Sequence, residues 1–311
     1  MWEKRLLRTV TDPSQLPAAV DQLLTQQHAS WDALREGEAA LRVTPTRWLA
    51  RGDAAAMVQA NVRRSASTFA KTDATSIAER PCFLCEVNLP PAERGVLYDD
   101  LVLMPNPFPA VADHLTIATR EHVPQRLARR VASLHRLARA LGDERFVLYN
   151  GPRCGASAPD HFHFQCGRAR DLPIFTHSLI DGHVGEQVLE AGNRTALHIR
   201  HAQADVATAA VERALGVLRM AAPDEDEAMV NVLSSWRHDH YVTLIFPRTR
   251  HRPDAFYARS RRLAISPAAL EMAGLVVVSD RDQFDEVDSA MLESIFGEVC
   301  VGADDARQRW P

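Results

Sequence analysis

Residues 150–165 join a turn rich in glycine and proline to a segment in which polar and aromatic side chains alternate. The turn follows the end of an apolar strand at Phe146 to Tyr149, and the alternation predicts a second strand after it. Successive side chains of a strand point to opposite faces. One face would carry His161, His163 and Gln165, and the other would carry Phe162, Phe164 and Cys166. The pattern predicts a strand with its apolar face on a core and its polar face on a surface or cleft.

The turn before these histidines has the composition of an anion-binding loop. The side chains of Gly155-Ala156-Ser157 are small enough to let backbone N–H groups approach an anion. An imidazole beside such a turn indicates attack on a phosphate. The alternative is a structural pair of histidines in a hydrogen-bonded core. A lone histidine would favour that alternative, but His-x-His-x-Gln after Gly-Ala-Ser favours chemistry.

The composition of the chain restricts the kinds of protein that it can be. The chain has 311 residues, of which 46% are hydrophobic and 24% charged, as in globular proteins with a large core. Its net charge of −4 gives no sign of a nucleic-acid-binding surface. No apolar run approaches the ~20 residues of a membrane span, and no apolar segment behind the N-terminus suggests a secretory signal. Five cysteines, an odd number without a dense framework, fit a reducing cytosol.

A Cys-x-x-Cys motif lies at Cys82 and Cys85. Two thiolates at this spacing can hold one edge of a tetrahedral zinc ion, with the other ligands coming from elsewhere in the chain. The alternatives without metal are a redox pair and two small buried residues. A redox pair usually opens a helix, whereas this motif leads into Asn88-Leu-Pro-Pro.

These motifs resemble the histidine-triad superfamily, on the branch of galactose-1-phosphate uridylyltransferase, diadenosine tetraphosphate phosphorylase and nucleoside diphosphate sugar phosphorylases. Those proteins carry Gly-x-Ser-x-Pro-His-x-His-x-Gln preceded by an Asn, which corresponds here to Asn150. This chain has one extra residue, Asp160, between Pro159 and His161. The resemblance covers about residues 60–285. It implies that the turn residues Asn150, Gly155, Ala156 and Ser157 contact the nucleotide or its phosphates.

The resemblance also implies a zinc cofactor. In zinc-bearing members the remaining ligands are a His just past the next strand and the first His of the pair, which here are His122 and His161, with His114 a rival for the third place. Four protein ligands leave no open position, so the metal would be structural. An Asp or Asn at the place of Asn106 holds the ribose hydroxyls in the superfamily. The alternative is an Asn that caps its own turn.

Two basic segments are candidates for phosphate binding, since Arg offers a fork of donors and Lys a compact charge. The first follows a strand at about residue 57, and the second lies within 247–253. Their candidate residues are Arg63, Arg64 and Lys71 in the first and Arg248, His251 and Arg252 in the second. For both segments the alternative is a solvated basic face.

The order of elements predicts an α+β fold with two tandem histidine-triad-like units in which helices pack on an antiparallel sheet. We expect an N-terminal helical extension over 1–56, with residues 1–40 helical. The first unit would span 57–180, with strands at 97–106 and 114–119 and a helix from Pro124 to Leu141. The second, degenerate unit would span 181–311, with a helix at 204–220 and strands at 228–233, 241–246 and 275–278.

The His-x-His-x-Gln motif and the family that it resembles together imply a nucleotidyltransferase or phosphorylase. His163 would attack the α-phosphate of a nucleotide sugar or dinucleoside polyphosphate, and phosphate or a sugar phosphate would accept the nucleotide. A backbone carbonyl in the Gly-rich turn would fix the tautomer of His163. Gln165 cannot exchange a proton at neutral pH, so it would donate to a phosphate oxygen. A hydrolase of the same superfamily and a nucleotide-binding module are the alternatives. A fused pair of units allows a monomer or a homodimer, with no nucleic-acid or membrane partner.

Overall fold

A computed structural model describes residues 2–50, 54–176, 179–223, 225–260 and 262–310. Within these ranges the strands are β1 (Leu6–Val10), β2 (Thr46–Ala50), β3 (Ala56–Ala60), β4 (Gly95–Tyr98), β5 (Leu101–Pro105), β6 (Leu115–Thr119), β7 (Arg145–Asn150), β8 (His163–Arg168), β9 (Gly185–Ala191), β10 (Arg194–His201), β11 (Val230–Arg237), β12 (His240–Pro247) and β13 (Leu275–Val278). The helices are α1 (Leu16–Ser30), α2 (Asp32–Arg42), α3 (Ser65–Thr68), α4 (Ala74–Glu79), α5 (Val131–Leu141), α6 (Leu179–Gly182), α7 (Ala204–Met220), α8 (Asp254–Tyr257), α9 (Ala269–Met272), α10 (Ser289–Val299) and α11 (Ala303–Arg309).

The order of strands in the main sheet reveals two units of the same topology. The described strands of this sheet run β1-β4-β5-β6-β8-β7-β11-β12-β10-β9. From the outside inward, β5-β6-β8-β7 on one side repeats as β9-β10-β12-β11 on the other. In chain order, a helix follows the second strand of each set and precedes the third: α5 lies between β6 and β7, and α7 lies between β10 and β11. The units meet where β7 and β11 pair antiparallel, with Asn150 opposite Asn231. The predicted α+β class and tandem units are confirmed.

The two faces of the sheet carry different partners. On one face, apolar residues of α1, α5 and α7 pack on the strands in a core that includes Leu23, Leu134 and Val211. On the other face, α9, α10 and a three-stranded sheet ordered β13-β3-β2 cover the second unit. The segment with Cys82 and Leu84 covers β4 and β5 on that same face. A cleft is therefore left between these two covers, over β6 and β8.

Several boundaries differ from the sequence-based expectations. Residues 6–10 form β1, which pairs parallel with β4, although 1–40 was expected to be helical. The expected single strand 97–106 is a hairpin, because Asp99 adopts φ 54° and turns the chain. Residues 185–201, which carried no regular pattern, form the β9–β10 hairpin. The helix expected from Pro124 begins only at Val131.

Other expectations hold. The helix at 204–220 and the strand at 275–278 have the predicted bounds. The division at residues 56 and 180 stays a prediction, because β3 of the expected first unit pairs with β2 and β13 from the flanking segments. No helix among the described residues has both the length and the apolar character needed to cross a lipid bilayer.

The turn between β7 and β8 depends on a glycine. Gly155 has φ +99°, and a Cβ there would lie 2.5 Å from Cβ of Ala268. Gly142, after α5, has φ +81° with nothing within 4 Å of its would-be Cβ. Both positions strain an alanine, but only Gly155→Ala also overpacks the interior. We expect Gly155→Ala to lower the free energy of unfolding by ~3 kcal/mol and Gly142→Ala by ~1 kcal/mol, measured by urea denaturation. Equal losses would show that the contact with Ala268 is unimportant.

Candidate active site

Strand β8 begins at His163 and lies between β6 and β7, which hold it at the centre of the first unit. Gln125 fixes the backbone of this residue from both sides. Its Oε1 accepts from the N–H of His163 at 2.7 Å, and its Nε2 donates to the carbonyl of His163 at 2.9 Å. The backbone under the imidazole is therefore held by a side chain from outside the sheet.

The ring of His163 is oriented by a backbone carbonyl. Its Nδ1 donates to the carbonyl oxygen of His161 at 2.9 Å, so Nε2 is the nitrogen without the proton. The acceptor was expected in the Gly-rich turn, and that expectation is wrong: His161 itself supplies it, because the chain bends just before β8. Burial lowers the pKa of His163 to about 4, a shift that the carbonyl opposes and the nearby His161 ring reinforces. The imidazole is neutral near pH 7 and has a lone pair on Nε2.

Gln165 is oriented by a histidine that the sequence gave no reason to link with it. Nδ1 of His114 accepts from the N–H of Ala110 at 3.2 Å, so its proton is on Nε2. Nε2 then donates to Oε1 of Gln165 at 2.9 Å. Because Oε1 is occupied, the amide group of Gln165 presents its N–H donors to the cleft. This chain of hydrogen bonds ends in the N–H donors of Gln165, and their contact with a phosphate oxygen stays a prediction.

His163 and Gln165 line a cavity of about 790 Å³. Four cationic residues share its lining, and these are Arg63, Arg64, Lys71 and Arg80. Ser67 and Ser157 also line it, with their hydroxyl oxygens 3.2 Å apart. The apolar part of the lining includes Phe83, Leu84, Leu89, Met104 and Phe108. A cavity that is lined by both cationic and apolar side chains could accommodate a nucleotide, which carries phosphates and an aromatic base.

The first basic segment lines this cavity, and its contact with a phosphate stays a prediction. Arg64 is half-buried and donates to the carbonyl of Phe108 at 3.0 Å, which holds its guanidinium at the rim. Burial lowers the pKa of Arg64, and the carboxylate of Glu271 opposes that shift. Arg63 and Lys71 are exposed and line the same cavity.

Asn106 lines the cavity and also caps its own turn. Its Oδ1 accepts from the N–H of Phe108 at 2.9 Å, and its Nδ2 donates to Oγ1 of Thr116 at 3.2 Å. Each amide atom can take a further partner. The two interpretations of this Asn are therefore compatible in geometry, and its contact with ribose stays a prediction.

Three of the turn residues expected to contact phosphate lie away from the described cavity lining. Oδ1 of Asn150 accepts from Nδ2 of Asn231 and from the N–H of Ala269, both at 2.9 Å, which ties the first unit to the second. Gly155 packs against Ala268, and Ala156 is buried. The described groups of these three residues contact other parts of the fold, and their contact with a phosphate stays a prediction. Of the four, Ser157 alone is among the described residues that line the cavity.

The second basic segment does not close over the cavity either. The guanidinium of Arg248 is buried and donates to the carbonyls of Val299 and Pro267, at 3.0 Å each, and to Asn231. His251 is packed beside it, and burial lowers the pKa of His251 to about 3. Arg252 donates to the carbonyl of Thr68 at 2.8 Å and stacks on Phe256. The side chains of Arg248 and Arg252 hold backbone in place, and the three residues are not among the described residues that line the cavity. Their phosphate contact stays a prediction that this geometry does not favour.

The four expected metal ligands form one cluster. The donor atoms of Cys82, Cys85, His122 and His161 all lie within 4.8 Å of one another. Sγ of Cys85 is 3.2 Å from Nδ1 of His122 and 3.6 Å from Nδ1 of His161, and Sγ of Cys82 is 3.4 Å from the latter. A tetrahedron with Zn–N of ~2.0 Å and Zn–S of ~2.3 Å has edges of about 3.3–3.8 Å. The cluster therefore fits a metal ion of that size.

The surroundings of the cluster agree with a metal site. Nε2 of His161 donates to the carbonyl of Thr119 at 2.8 Å, so the lone pair of Nδ1 faces the two thiols. Without a cation, burial raises the pKa of Cys82 to about 11. His114, the rival for the third place, is engaged with Ala110 and Gln165 and takes no part.

The extra residue of the motif, Asp160, lies between the cluster and the cavity. Its carboxylate accepts from Nη2 of Arg80 at 2.7 Å and lies 3.8 Å from Nε2 of His122. Arg80 stacks over the ring of Phe83, which lines the cavity. The sequence showed Asp160 as an insertion, but His114 and Gln125 carried no motif, and only the sheet register brings them to β8.

One family model matches the part of the chain that carries these motifs. This model, described as Domain of unknown function (DUF4922), matches residues 23–168. This segment contains the Cys-x-x-Cys motif, Asn106 and the His-x-His-x-Gln strand. No curated protein sequence matches this chain.

Crystal structures of yeast Ap4A phosphorylase Apa2 have a similar fold. One is 15% identical with a TM-score of 0.57 and covers 91% of this chain and 94% of that one. Its complex with Ap4A has the same identity and TM-score and covers 91% and 97%. Its complex with AMP is 16% identical with a TM-score of 0.53 and covers 88% and 94%. Identity at this level establishes the fold alone. This chain therefore shares its two-unit fold with yeast Ap4A phosphorylase Apa2, in agreement with the fold that the resemblance of its sequence predicts.

Proposed function

We propose that this protein is a nucleotidyltransferase or phosphorylase that acts on a nucleotide sugar or a dinucleoside polyphosphate. The observation that carries the proposal is the state of His163. Its Nδ1 is bonded to a carbonyl, its Nε2 has a free lone pair, and the ring lines a cavity with four cationic residues. The similar yeast phosphorylase binds AMP and Ap4A, which supports a nucleotide as the ligand.

The first step transfers the nucleotide to the protein. The lone pair of Nε2 attacks the α-phosphorus, a P–N bond forms, and the bond from that phosphorus to the bridging oxygen breaks. The leaving group departs as a phosphate anion and needs little proton donation. The carbonyl of His161 stabilises the positive charge that develops on the ring. Arg63, Arg64 and Lys71 offset charge on the phosphate oxygens.

The second step returns the protein to its starting state. An oxygen of inorganic phosphate or of a sugar phosphate attacks the same phosphorus, and the P–N bond breaks with its electron pair returning to Nε2. The acceptor and the first leaving group are both phosphates, so one set of cationic side chains serves both steps. No proton has to move, which suits a glutamine at position 165.

We further propose that Cys82, Cys85, His122 and His161 hold zinc as a structural ion. When bound, the ion would fix the ring of His161. That residue's carbonyl orients His163, so the metal cluster and the nucleophile share one short piece of backbone. The described cavity lining lies wholly within residues 63–165, which supports 57–180 as the catalytic unit and 181–311 as the unit that completes the sheet.

Trapping of the intermediate tests this function. The protein is incubated with α-³²P-labelled nucleoside diphosphate sugars and dinucleoside polyphosphates, without acceptor, and then denatured. We expect label on the protein that is stable to alkali and lost in acid, as for a P–N bond, and discharged by phosphate. Turnover to a nucleoside monophosphate without acceptor would indicate the hydrolase instead. Binding without label would indicate a binding module.

The amide of Gln165 is expected to contribute through its donor. Gln165→Glu keeps the size of the side chain but replaces the N–H donors with a negative charge that faces a phosphate. We expect kcat/KM to fall by ~10²–10³-fold, with the far-ultraviolet circular dichroism unchanged. The measurement is phosphorolysis of the substrate found by trapping.

His114 provides the matched test of orientation. His114→Asn is too short to reach Gln165, and we expect a loss of ~10-fold in kcat/KM. In the Gln165→Glu background the same change should add almost nothing, because there is no amide left to orient. Additive losses would contradict the chain from His114 to Gln165.

A further inference from the structure

Glu93 is an acidic residue in the lining of a largely cationic and apolar cavity. Its exposed fraction is 7%, and no described residue donates a hydrogen bond to its carboxylate. Its charged neighbour is Arg5, whose guanidinium donates to the carbonyls of Leu89 and Pro90 and lies too far for an ion pair. Burial raises the pKa of Glu93 to about 7, and Arg5 opposes the shift. A buried acceptor without donors costs free energy, so this carboxyl group is suited to a ligand that brings donors.

The position of Glu93 along the sheet matches the base end of a nucleotide. Gln165 is paired with Thr116 on β6, and Thr116 with Met104 on β5. A Cβ on Gly95 of β4 would lie 3.2 Å from Cγ of Met104, and Glu93 precedes Gly95 by two residues. Three strand spacings of ~4.8 Å separate Gln165 from Gly95, or ~14 Å in all. A nucleotide with its phosphate at His163 and Gln165 would extend its base along this row.

The walls at that end suit a flat apolar ring. Leu84, Leu89 and Met104 are buried and line the cavity, and the exposed ring of Phe83 lines it as well. A base between such side chains is desolvated on both faces. The edge of the base then has to satisfy the carboxylate.

We infer that Glu93 recognises the base and that the nucleotide is a guanine nucleotide. The inference rests on the proposed function and deepens it. Guanine presents two adjacent donors, N1–H and the exocyclic N2–H, which match the two oxygens of one carboxylate. Adenine and cytosine each place a ring acceptor beside one amino donor, and uracil places carbonyl oxygens on both sides of its N3–H. In each of these three bases, an acceptor atom would face one carboxylate oxygen, and two lone pairs would then repel each other.

Equilibrium binding tests the inference without turnover. GMP, AMP, CMP and UMP are titrated by calorimetry into the wild type, Glu93→Gln and Glu86→Gln. Glu86 lies in the same loop but is not among the described residues that line the cavity, so its variant is the matched control. We expect wild type and Glu86→Gln to bind GMP at least ~30-fold more tightly than the other three. Glu93→Gln should lose ~30-fold for GMP and gain relative affinity for AMP, whose edge pairs with an amide.

Each other outcome overturns the inference in a recognisable way. Equal affinity of wild type for the four nucleotides would refute guanine recognition and leave the proposed function standing. An equal loss for all four in Glu93→Gln would place Glu93 on the ribose. Binding of none of them would remove the inference and the proposed function together. Because the wild-type preference is measured directly, poor folding of a variant does not affect the first comparison.

Discussion

His163→Ala is expected to abolish formation of the nucleotidyl-protein and to lower kcat by on the order of 10⁵-fold. The variant lacks the only nitrogen lone pair that strand β8 presents to the cavity. Water cannot replace this nucleophile, because a nucleotide transferred to water is released and cannot be passed on to the acceptor. The fold should survive, since a neutral side chain that lines a cavity is removed. The measurement is phosphorolysis rate together with label on the protein.

His198→Ala is the matched control for this substitution. His198 is fully buried on β10 of the second unit, and its Nε2 donates to the carbonyl of Ile180 at 3.0 Å. Its removal should lower the free energy of unfolding by ~2 kcal/mol and leave the rate per folded molecule unchanged. Comparable label on His163→Ala and wild type would refute His163 as the nucleophile.

Removal of the metal is expected to give the largest change in stability. We expect Cys82→Ala, or treatment of the wild type with a chelator, to release one equivalent of zinc, measured by mass spectrometry of the metal. The melting temperature should fall by ~10 °C, because the free energy of metal binding becomes folding free energy where no site exists in the unfolded chain. Activity should fall as well, because the ring of His161 loses its anchor and the carbonyl that orients His163 moves with it.

Cys300→Ala controls for the loss of a buried thiol. Cys300 is 5% exposed and Cys82 is 8% exposed, but Cys300 lies at the end of α10, far along the chain from the cluster. Its variant should keep the metal and melt within a few degrees of the wild type. A protein purified without any metal, with the same melting temperature before and after chelation, would contradict the zinc proposal.

Residues that are close in sequence account for most of the successful predictions. The Cys-x-x-Cys spacing and the period of two in His-x-His-x-Gln are local patterns, and each restricts where its side chains can point. The helix at 204–220 and the strand at 275–278 were predictable because their apolar residues recur with a clear period or run. The grouping of His122 and His161 with the cysteines came from family resemblance, and their donor atoms do lie together.

Prediction failed where the environment of a side chain depends on distant elements. The spacing of the leucines in α5 predicts that His135 faces solvent, yet its ring is buried between Thr208 of α7 and Thr243 of β12, at 2.9 and 3.0 Å. Burial lowers its pKa to about 4. The basic loop at 247–253 looks like a phosphate site in sequence, but Arg248 and Arg252 donate to carbonyls that approach from other segments.

The amino-acid sequence by itself determined the His-x-His-x-Gln strand, the Cys-x-x-Cys motif and the α+β fold with two tandem units. These features follow from short-range spacing and from the order of elements along the chain. The tertiary structure alone decided which groups orient the reacting side chains. The bond from His114 to Gln165 joins β8 to the residue just before β6, and the clamp of Gln125 on His163 comes from a segment outside the sheet. Such contacts depend on strand register and packing across the chain, and no local pattern carries that information.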